Sequence, residues 1–336
     1  MIALDANGAD GGPATVAEGA RIAAVDVLLF GPAAALGGAA NVVDAPTAIG
    51  GDEEPVSAVR RKPEASIVQA AGAVADGRAD ALVSAGSTGP TLAAATVSVK
   101  RIRGVHRPAL AALLPVPGGP VLLLDAGASV EVRPERLVQY AHMGVAFMET
   151  VMGLARPTVG LLSVGEEPAK GTPEVIDAHA RLASGSLNFV GNVEGFDVPR
   201  ARATVVVTDG FTGNVALKAM EGASRTVRDA IGDAVRAGVV SRLGGLLIRG
   251  AVARVRDQLD PERVGGAILL GVRKPVVLAH GSSGPAGIAS AVRLARRAAD
   301  EDMVGRTAAA LAAAGALRSG PVGSVAEMTD EPRGAS

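Results

Sequence analysis

The residues best suited to chemistry lie in loops that follow short apolar runs. One loop reads Ser84-Ala-Gly-Ser-Thr-Gly89 and another reads Asp209-Gly-Phe-Thr-Gly-Asn214. Hydroxyls and free backbone amides in front of a helix form an anion site, so both loops predict binding of a phosphate or a carboxylate. Lys218 follows Asn214 by one helical turn and can meet an anion held there. The alternative is that Lys218 is an ordinary exposed helix lysine.

His280 stands apart from the other three histidines because it follows an apolar run and precedes Gly281-Ser-Ser-Gly284. A histidine at the carboxyl end of a strand, beside backbone donors, is a candidate general acid or base. Glu166, Glu167 and Lys170 form a charged cluster after another run, for which a solvated turn with a salt bridge is the alternative.

Carboxylates that could ligate a metal ion are Asp5, Asp10, Asp125 and Asp209. Nothing in their spacing requires a metal, so we expect none. The motifs of nucleotide-binding loops, serine hydrolases and zinc proteases are missing from the sequence.

Six apolar runs predict the strands that position these loops: Ile2–Leu4, Ala81–Val83, Val121–Leu124, Val159–Leu162, Thr204–Val207 and Val276–Leu278. Continuous apolar runs suit a parallel sheet that is covered on both faces. Predicted helices alternate with them: Thr15–Ala24, Ser66–Ala75, Thr91–Lys100, Pro134–Met152, Glu174–Leu182, Asn214–Val235 and Ser290–Asp300. The pattern predicts a three-layer α/β/α fold with a mainly parallel sheet. We therefore expect all of these loops on one edge of the sheet.

Composition excludes several classes of function. The 336 residues include no cysteine, which excludes disulfide scaffolds, thiolate metal sites, iron–sulfur clusters and acyl-cysteine intermediates. A net charge of −1 argues against nonspecific nucleic-acid binding. The apolar stretches 27–43 and 108–124 are broken by Gly and Pro and indicate buried strands rather than membrane spans. With no signal peptide visible, the expected compartment is the cytoplasm.

We expect one large domain over residues 1–318 and a disordered tail over 319–336. Residues 238–260 predict a basic amphipathic helix, interrupted or kinked at Gly244-Gly245. Val240, Leu243, Leu247, Ala251 and Val255 share one side of it, and Arg242, Arg249 and Arg256 share the other. Such a helix can lie on a membrane, bind an acidic partner, form a dimer interface or pack a core face on the domain.

Taken together, these loops resemble the PlsX family, phosphate acyltransferases that act on acyl-carrier-protein thioesters. The matching stretches occur in family order over about residues 1–300: Ile2–Ala6, Ser84–Gly89, Arg107–Pro115, Leu123–Gly127, Val159–Glu167, Asn188–Gly195, Asp209–Lys218 and Ala279–Ser283. The chain departs from the family pattern at Asn7, Ala9, Ser87, Ser129 and Gly284. These loop positions put acyl-chain preference and rate in question, but not the class.

The resemblance implies transfer of a long-chain acyl group from acyl carrier protein to inorganic phosphate, giving acyl phosphate for the first acylation in phospholipid synthesis. It implies a fold like that of phosphotransacetylase and isopropylmalate dehydrogenase, and no redox cofactor. It also implies a homodimer at the inner face of the cell membrane, associated peripherally with a glycerol-3-phosphate acyltransferase partner.

The expected site residues fall into four groups. The catalytic candidates are His280, Lys218 and Asn214. The candidates for holding substrate or phosphate are Ser84, Gly86, Ser87, Thr88, Gly89, Asp209, Gly210, Thr212, Gly213, Ser282 and Ser283. Supporting candidates are Asp5, Asp125, Glu166 and Lys170. Those for contact with a partner or membrane are Arg242, Leu243, Leu247, Arg249 and Arg256.

Phosphate is already an anionic nucleophile at neutral pH, so the expected chemistry needs orientation and oxyanion stabilisation rather than a strong base. Three alternatives stay open. They are a phosphotransacylase that uses short-chain acyl-CoA, a nicotinamide-dependent decarboxylating dehydrogenase, and a non-catalytic scaffold at the membrane.

Overall fold

A computed structural model describes residues 1–318, in which eleven strands form one sheet in the order β3-β2-β1-β4-β11-β10-β5-β6-β9-β7-β8. The strands are β1 (Ile2–Asp5), β2 (Val27–Gly31), β3 (Val42–Asp44), β4 (Ala81–Ser84), β5 (Ala109–Leu114), β6 (Val121–Leu124), β7 (Val159–Leu162), β8 (Phe189–Val193), β9 (Val205–Val207), β10 (Ala267–Leu270) and β11 (Val276–Leu278). All six predicted strands are present. The tail predicted over 319–336 lies outside the described residues, and the single-domain assignment stays a prediction.

Two parallel blocks of strands make up most of the sheet. One block contains β3, β2, β1, β4 and β11, and the other contains β6, β9, β7 and β8. Between them, the pairs β11/β10, β10/β5 and β5/β6 are antiparallel. Because of these three antiparallel pairs, the strands of the second block run antiparallel to those of the first. We call the edge at the carboxyl ends of β1, β4 and β11 the upper edge, and that at the carboxyl ends of β6, β7 and β9 the lower edge.

The prediction that all polar loops share one edge is therefore wrong. The loops after Asp5, Ser84 and His280 are at the upper edge, whereas those after Asp125 and Asp209 are at the lower edge. The physical reason is the pair β10 and β5, whose antiparallel insertion reverses the direction of everything beyond it.

Helices cover both faces of the sheet: α1 (Gly12–Ala23), α2 (Pro55–Arg61), α3 (Ser66–Ala75), α4 (Thr88–Ala94), α5 (Pro134–Thr150), α6 (Pro173–Ala183), α7 (Gly210–Arg236), α8 (Val239–Gln258), α9 (Pro285–Asp300) and α10 (Met303–Ala313). Along β1, Ile2 and Leu4 pack into the core on one face and Ala3 into the core on the other. The α/β/α class and the mainly parallel sheet are thus confirmed. The helix predicted over Thr91–Lys100 is α4 followed by a π-helical segment, Ala95–Val99.

Helix α7 crosses the sheet from one edge to the other. It begins at Gly210 on the lower edge, where the Asp209 side chain caps it. Three turns later, Glu221 Oε2 lies 3.9 Å from His280 Nε2 on the upper edge. Only Gly210 and Gly213 of its 27 residues are buried, so most of the surface of α7 is not covered by the rest of the domain.

Helix α8 packs along α7, and the two form the α7–α8 hairpin. Helix α8 is not interrupted at Gly244-Gly245, and a kink there stays a prediction. The helix has no buried residue, so the alternative in which it packs a core face on the domain is wrong. Leu247 is 88% exposed and Val240 84%. None of the helices within residues 1–318 has the length and apolar character needed to cross a membrane.

Candidate active site

A buried carboxylate, Asp5, organises the upper edge. Its Oδ1 accepts a hydrogen bond from Ser66 Oγ (2.6 Å) and its Oδ2 accepts one from Ser84 Oγ (2.8 Å). Burial raises the pKa of Asp5 to about 6, against the opposing effect of the serine hydroxyls and the Asn7 amide. Ser84, predicted to hold substrate, is fully buried and is engaged in this network.

Asn7, one of the departures from the family pattern, extends the network. Its Nδ2 donates to Ala45 O (3.0 Å) and to Ser66 Oγ (3.1 Å), which ties the loop after β1 to the segment before α2. A pocket lined in part by Asp5, Asn7, Ser87 and Thr91 has a volume of about 10 Å³. In the conformation of this structure, that is room for about one water molecule.

The loop after β4 presents hydroxyls at the start of α4. The Gly86 amide donates to Ser84 Oγ (3.0 Å), which folds the loop back onto the strand. Ser87 and Gly89 are partly exposed and Thr88 is exposed, and within residues 1–318 neither the Ser87 nor the Thr88 hydroxyl makes a hydrogen bond. These hydroxyls stay available to an anion at the helix N-terminus.

His280 faces α7 across the upper edge. Ser282 Oγ lies 2.8 Å from His280 Nδ1, and the Ser282 amide donates to the same nitrogen (3.3 Å). An amide can only donate, so Nδ1 is the accepting nitrogen in this contact, and in a neutral ring the proton is then on Nε2. Nε2 points toward Glu221, whose Oε2 also pairs with Lys218 Nζ at 3.1 Å.

The structure thus brings Lys218 and His280 together, because both lie next to Glu221. Glu221 is not among the residues predicted from the sequence. The available signal was helical spacing, because Asn214, Lys218 and Glu221 at i, i+4 and i+7 share one face of α7. Ser283 is buried, and its amide donates to His280 O (2.9 Å). That bond gives Ser283 a part in shaping the loop.

A second buried carboxylate, Asp125, organises the lower edge. Its Oδ1 accepts from the amides of Leu110 (3.0 Å), Gly127 (3.1 Å) and Ala128 (2.9 Å), and its Oδ2 accepts from Ser129 Oγ (2.8 Å). Burial raises the pKa of Asp125 above its ordinary value, and these four donors oppose the rise. With its oxygens so engaged, Asp125 holds the loop rather than a ligand.

The start of α7 packs directly on that loop. A Cβ on Gly213 would lie 1.9 Å from Asp125 O, and one on Gly210 would lie 2.1 Å from Ser129 O, so only glycine fits at either position. The Thr212 amide donates to Asp209 Oδ1 (2.8 Å) and the Gly213 amide to Asp209 O (2.9 Å). The cap of α7 thus uses these two amides, and the assignment of this loop to phosphate binding stays a prediction.

Asn214 connects the two edges. It is exposed, and a Cβ on Gly127 would lie 3.5 Å from its Oδ1, so it borders the Asp125 loop. Seven residues separate it from Glu221, about 10 Å along the helix. One face of α7 therefore leads from the lower edge to the pair of Lys218 and His280.

The charged cluster after β7 lies apart from His280, on the lower edge. Glu166 pairs with Arg202 rather than with Lys170, and this ion pair lowers the pKa of Glu166. Lys170 contributes its backbone oxygen, which accepts from Ser163 Oγ (3.0 Å). The salt bridge expected within this turn is therefore replaced by one to the β8–β9 connection.

The residues predicted for partner contact lie on α8, where Leu243 is 58% exposed and Leu247 88%. Arg256 pairs with Asp257, and Arg242 donates to Arg236 O (3.3 Å). Among residues 1–318 there is no group of three His, Asp or Glu side chains arranged to hold a metal ion.

Comparisons with known proteins point in one direction. A family described as "Fatty acid synthesis protein" matches residues 1–306. The phosphate acyltransferase of Heliobacterium modesticaldum is 42% identical over 318 residues, which cover 90% of this chain and 95% of that protein. That of Anoxybacillus flavithermus is 42% identical over 315 residues, covering 90% and 96%.

Solved structures share the fold. A phosphotransacetylase from Streptococcus pyogenes superposes with a TM-score of 0.59 at 18% identity, covering 90% of this chain and 94% of that chain. A branched-chain phosphotransacylase from Enterococcus faecalis gives a TM-score of 0.54 at 17% identity, covering 88% and 99%.

Proposed function

Because the chain belongs to the fatty acid synthesis protein family, we propose that it transfers a long-chain acyl group from acyl carrier protein to inorganic phosphate. It is an acyltransferase, and its products are an acyl phosphate and free carrier protein. The acyl phosphate serves the first acylation of glycerol-3-phosphate in phospholipid synthesis. The observation that carries the proposal is 42% identity to phosphate acyltransferases over nine-tenths of the chain.

The reaction forms one bond and breaks one. A phosphate oxygen attacks the thioester carbonyl carbon, the carbonyl oxygen becomes an oxyanion, and the carbon–sulfur bond then breaks. The Ser87 and Thr88 hydroxyls at the start of α4 hold the phosphate in this proposal. The Lys218 ammonium can neutralise the charge that develops on the oxyanion.

His280 stabilises the departing thiolate as a hydrogen-bond donor. In a neutral ring the donor is Nε2, on the side that faces Lys218 and Glu221. The thiolate then takes its proton from solvent, to which this half-exposed site has access, so the ring keeps its own proton throughout. Asn214 borders the path from the lower edge and can orient the thioester arm.

The test measures phosphate-dependent release of carrier protein from palmitoyl-acyl carrier protein, with acetyl-CoA in parallel. We expect turnover with the carrier substrate, and a loss of about 100-fold in kcat for Lys218→Met and for His280→Gln. Glu167→Gln, in the charged turn on the opposite edge, is the matched control.

Turnover with acetyl-CoA alone would identify a short-chain phosphotransacylase. If the His280→Gln variant is fully active, His280 does not have the role that we propose for it beside the departing thiolate. If the protein turns over neither substrate but binds membranes, it is a non-catalytic scaffold.

We further propose that the protein is a homodimer and meets the inner face of the cell membrane through the α7–α8 hairpin, beside its glycerol-3-phosphate acyltransferase partner. The hairpin supports this with exposed apolar side chains at Val240, Leu243 and Leu247 next to Arg242 and Arg249. This mixture suits a surface of anionic lipid.

Light scattering gives the oligomeric state, and flotation with anionic vesicles tests the membrane contact. Leu243→Ser/Leu247→Ser should lose vesicle binding, whereas Ile22→Ser, on α1, should keep it. Equal flotation of both variants would rule out this contact.

A further inference from the structure

Nine cationic residues gather on the lower edge, around the start of β5 and the end of β10. We call this surface the basic edge: Lys100, Arg101, Arg103, Arg107, Arg133, Arg136, Arg273, Lys274 and Arg318. Backbone bonds hold its segments together, since the Arg273 amide donates to Lys100 O (2.9 Å) and the Arg318 amide to Gly104 O (2.9 Å). Helix α5 joins through Gln139, whose Oε1 accepts from the His106 amide (2.9 Å).

Carboxylates do not neutralise the basic edge. Within residues 1–318, none of its nine side chains has a carboxylate oxygen within 4.0 Å. Arg101 donates instead to His106 O (2.7 Å) and Arg273 to Arg101 O (3.1 Å). Of the neighbouring acids, Glu135 pairs with Arg181. A chain of net charge −1 thus concentrates positive charge on one surface.

This arrangement works against stability. Arg133 and Arg136 stand at the N-terminus of α5, where the helix dipole disfavours positive charge. Burial together with Arg107 and Arg133 lowers the pKa of Arg136. Burial, followed by Arg136 and Arg318, lowers the pKa of His106. Mutual repulsion of this kind is relieved when an anionic partner binds.

We propose that the basic edge is the docking surface for the acidic face of the acyl carrier protein, an inference that rests on the proposed function. Its cations come from four separate segments of the chain, so the surface is broader than one phosphate group requires. Arg103, Arg107 and Arg133 are exposed and present planar donor groups suited to carboxylates. Complementary charge of this kind steers association and sets orientation.

A lipid surface suits the basic edge less well. Large exposed apolar side chains concentrate on the α7–α8 hairpin, which offers a membrane both charge and apolar area. Stable attachment to a bilayer generally takes apolar contact in addition to basic residues.

The basic edge lies on the same edge of the sheet as the Asp125 loop and the start of α7. Arg107 lies three residues before Leu110, whose amide donates to Asp125 Oδ1 (3.0 Å). The Asp125 loop borders Asn214, from which α7 leads to Lys218 and His280. A carrier protein docked on the basic edge can therefore send its thioester arm along α7.

The experiment compares Arg103→Glu/Arg107→Glu with Arg297→Glu/Arg306→Glu, a control pair on α9 and α10. Three quantities are measured at low and at high salt. They are kcat/KM for palmitoyl-acyl carrier protein, kcat/KM for S-palmitoylpantetheine, an uncharged thioester that lacks the carrier, and Kd for apo-carrier protein.

We expect the basic-edge pair to lose about tenfold in kcat/KM for the carrier substrate and in affinity for apo-carrier protein. The loss should shrink at high salt, because screening weakens the charge complementarity. Turnover of S-palmitoylpantetheine should change less than twofold. Arg103→Gln/Arg107→Gln should show a smaller loss of the same kind, which keeps the test valid if the reversal variant fails to fold.

Unchanged carrier affinity in both basic-edge variants would overturn the inference. So would a loss of anionic-vesicle binding with carrier kinetics intact, which would make the basic edge a membrane contact. If the native protein turns over neither thioester, the proposed function fails by itself, and the apo-carrier affinity still decides whether this surface docks the carrier.

Discussion

The two buried aspartates, Asp5 and Asp125, follow the same sequence pattern on opposite edges of the sheet. Each ends a continuous apolar strand and is followed by alanine and a tight loop. Asp5 is held mainly by side chains, the hydroxyls of Ser66 and Ser84. Asp125 is held mainly by backbone, through three amides.

The difference lies in how rigidly each loop is fixed. Around Asp125, the backbone of two loops meets with no room for a side chain. Around Asp5, the partners are hydroxyls that can rotate and that accept further donors, such as the Gly86 amide. The upper edge thus holds its carboxylate through hydroxyls, and it is also the edge with the Ser87 and Thr88 hydroxyls and His280.

The largest contrast should come from adding one methyl group to each loop. Gly213→Ala should destabilise the fold by about 3 kcal/mol, because its Cβ would overlap Asp125 O. Gly86→Ala should cost about 1 kcal/mol, because its nearest contact would be 3.1 Å, to Asn7 O. Urea unfolding of both variants measures this, and equal losses would mean that the two edges are equally tight.

The pH dependence of stability should report the Asp5 carboxyl. Its pKa, raised to about 6 in the folded state, exceeds the ordinary value of 3.8. The contribution to stability is complete below about pH 4 and is lost as pH rises through 6, about 3 kcal/mol in all. Native protein should therefore lose stability relative to Asp5→Asn between pH 4 and 7.5. The difference between the two must be followed, because paired carboxylates such as Glu166 act in the opposite direction.

If the difference in stability between the native protein and Asp5→Asn stayed constant over this pH range, the pKa of Asp5 would be the same in the folded and unfolded states. Asp125 shifts in the same direction, so Asp125→Asn provides the comparison from the other edge.

The smallest contrast concerns the serine donors. Ser129→Ala removes one of four donors to Asp125 and should cost about 1 kcal/mol. Ser66→Ala removes a donor to Asp5 and also the acceptor of Asn7 Nδ2, and should cost about 2 kcal/mol. Urea midpoints at pH 7 compare the two, and the reverse order would show that Asn7 finds another acceptor.

Six of the eleven strands and the fold class could be predicted because buried parallel strands leave continuous apolar runs in the sequence. The placement of the loops could not. β10 is not among the predicted strands, and direction in a sheet depends on partners far away in the chain. The glycines at 210 and 213 predict a phosphate loop, but the close packing of one backbone on another, which the structure shows there, leaves the same sequence signal.

Glu221 shows a different limit. Its spacing from Lys218 was visible, but its position opposite His280 depends on how α7 crosses the sheet. On α8 the apolar stripe correctly predicted a helix. The stripe did not predict its own exposure to solvent, because periodicity shows which residues share a face and not what covers that face.

The angular positions of residues around the axis of α7 link the site to the hairpin. The same unbroken helix carries Lys218 and Glu221 in its first turns and the hairpin in its last. Each residue advances an α-helix by about 100°. Inserting one residue after Glu221 would leave the reacting groups in place and turn the whole outer surface of the hairpin by more than a quarter of a circle. The length of the outer half of α7 is therefore locked to the orientation of the site.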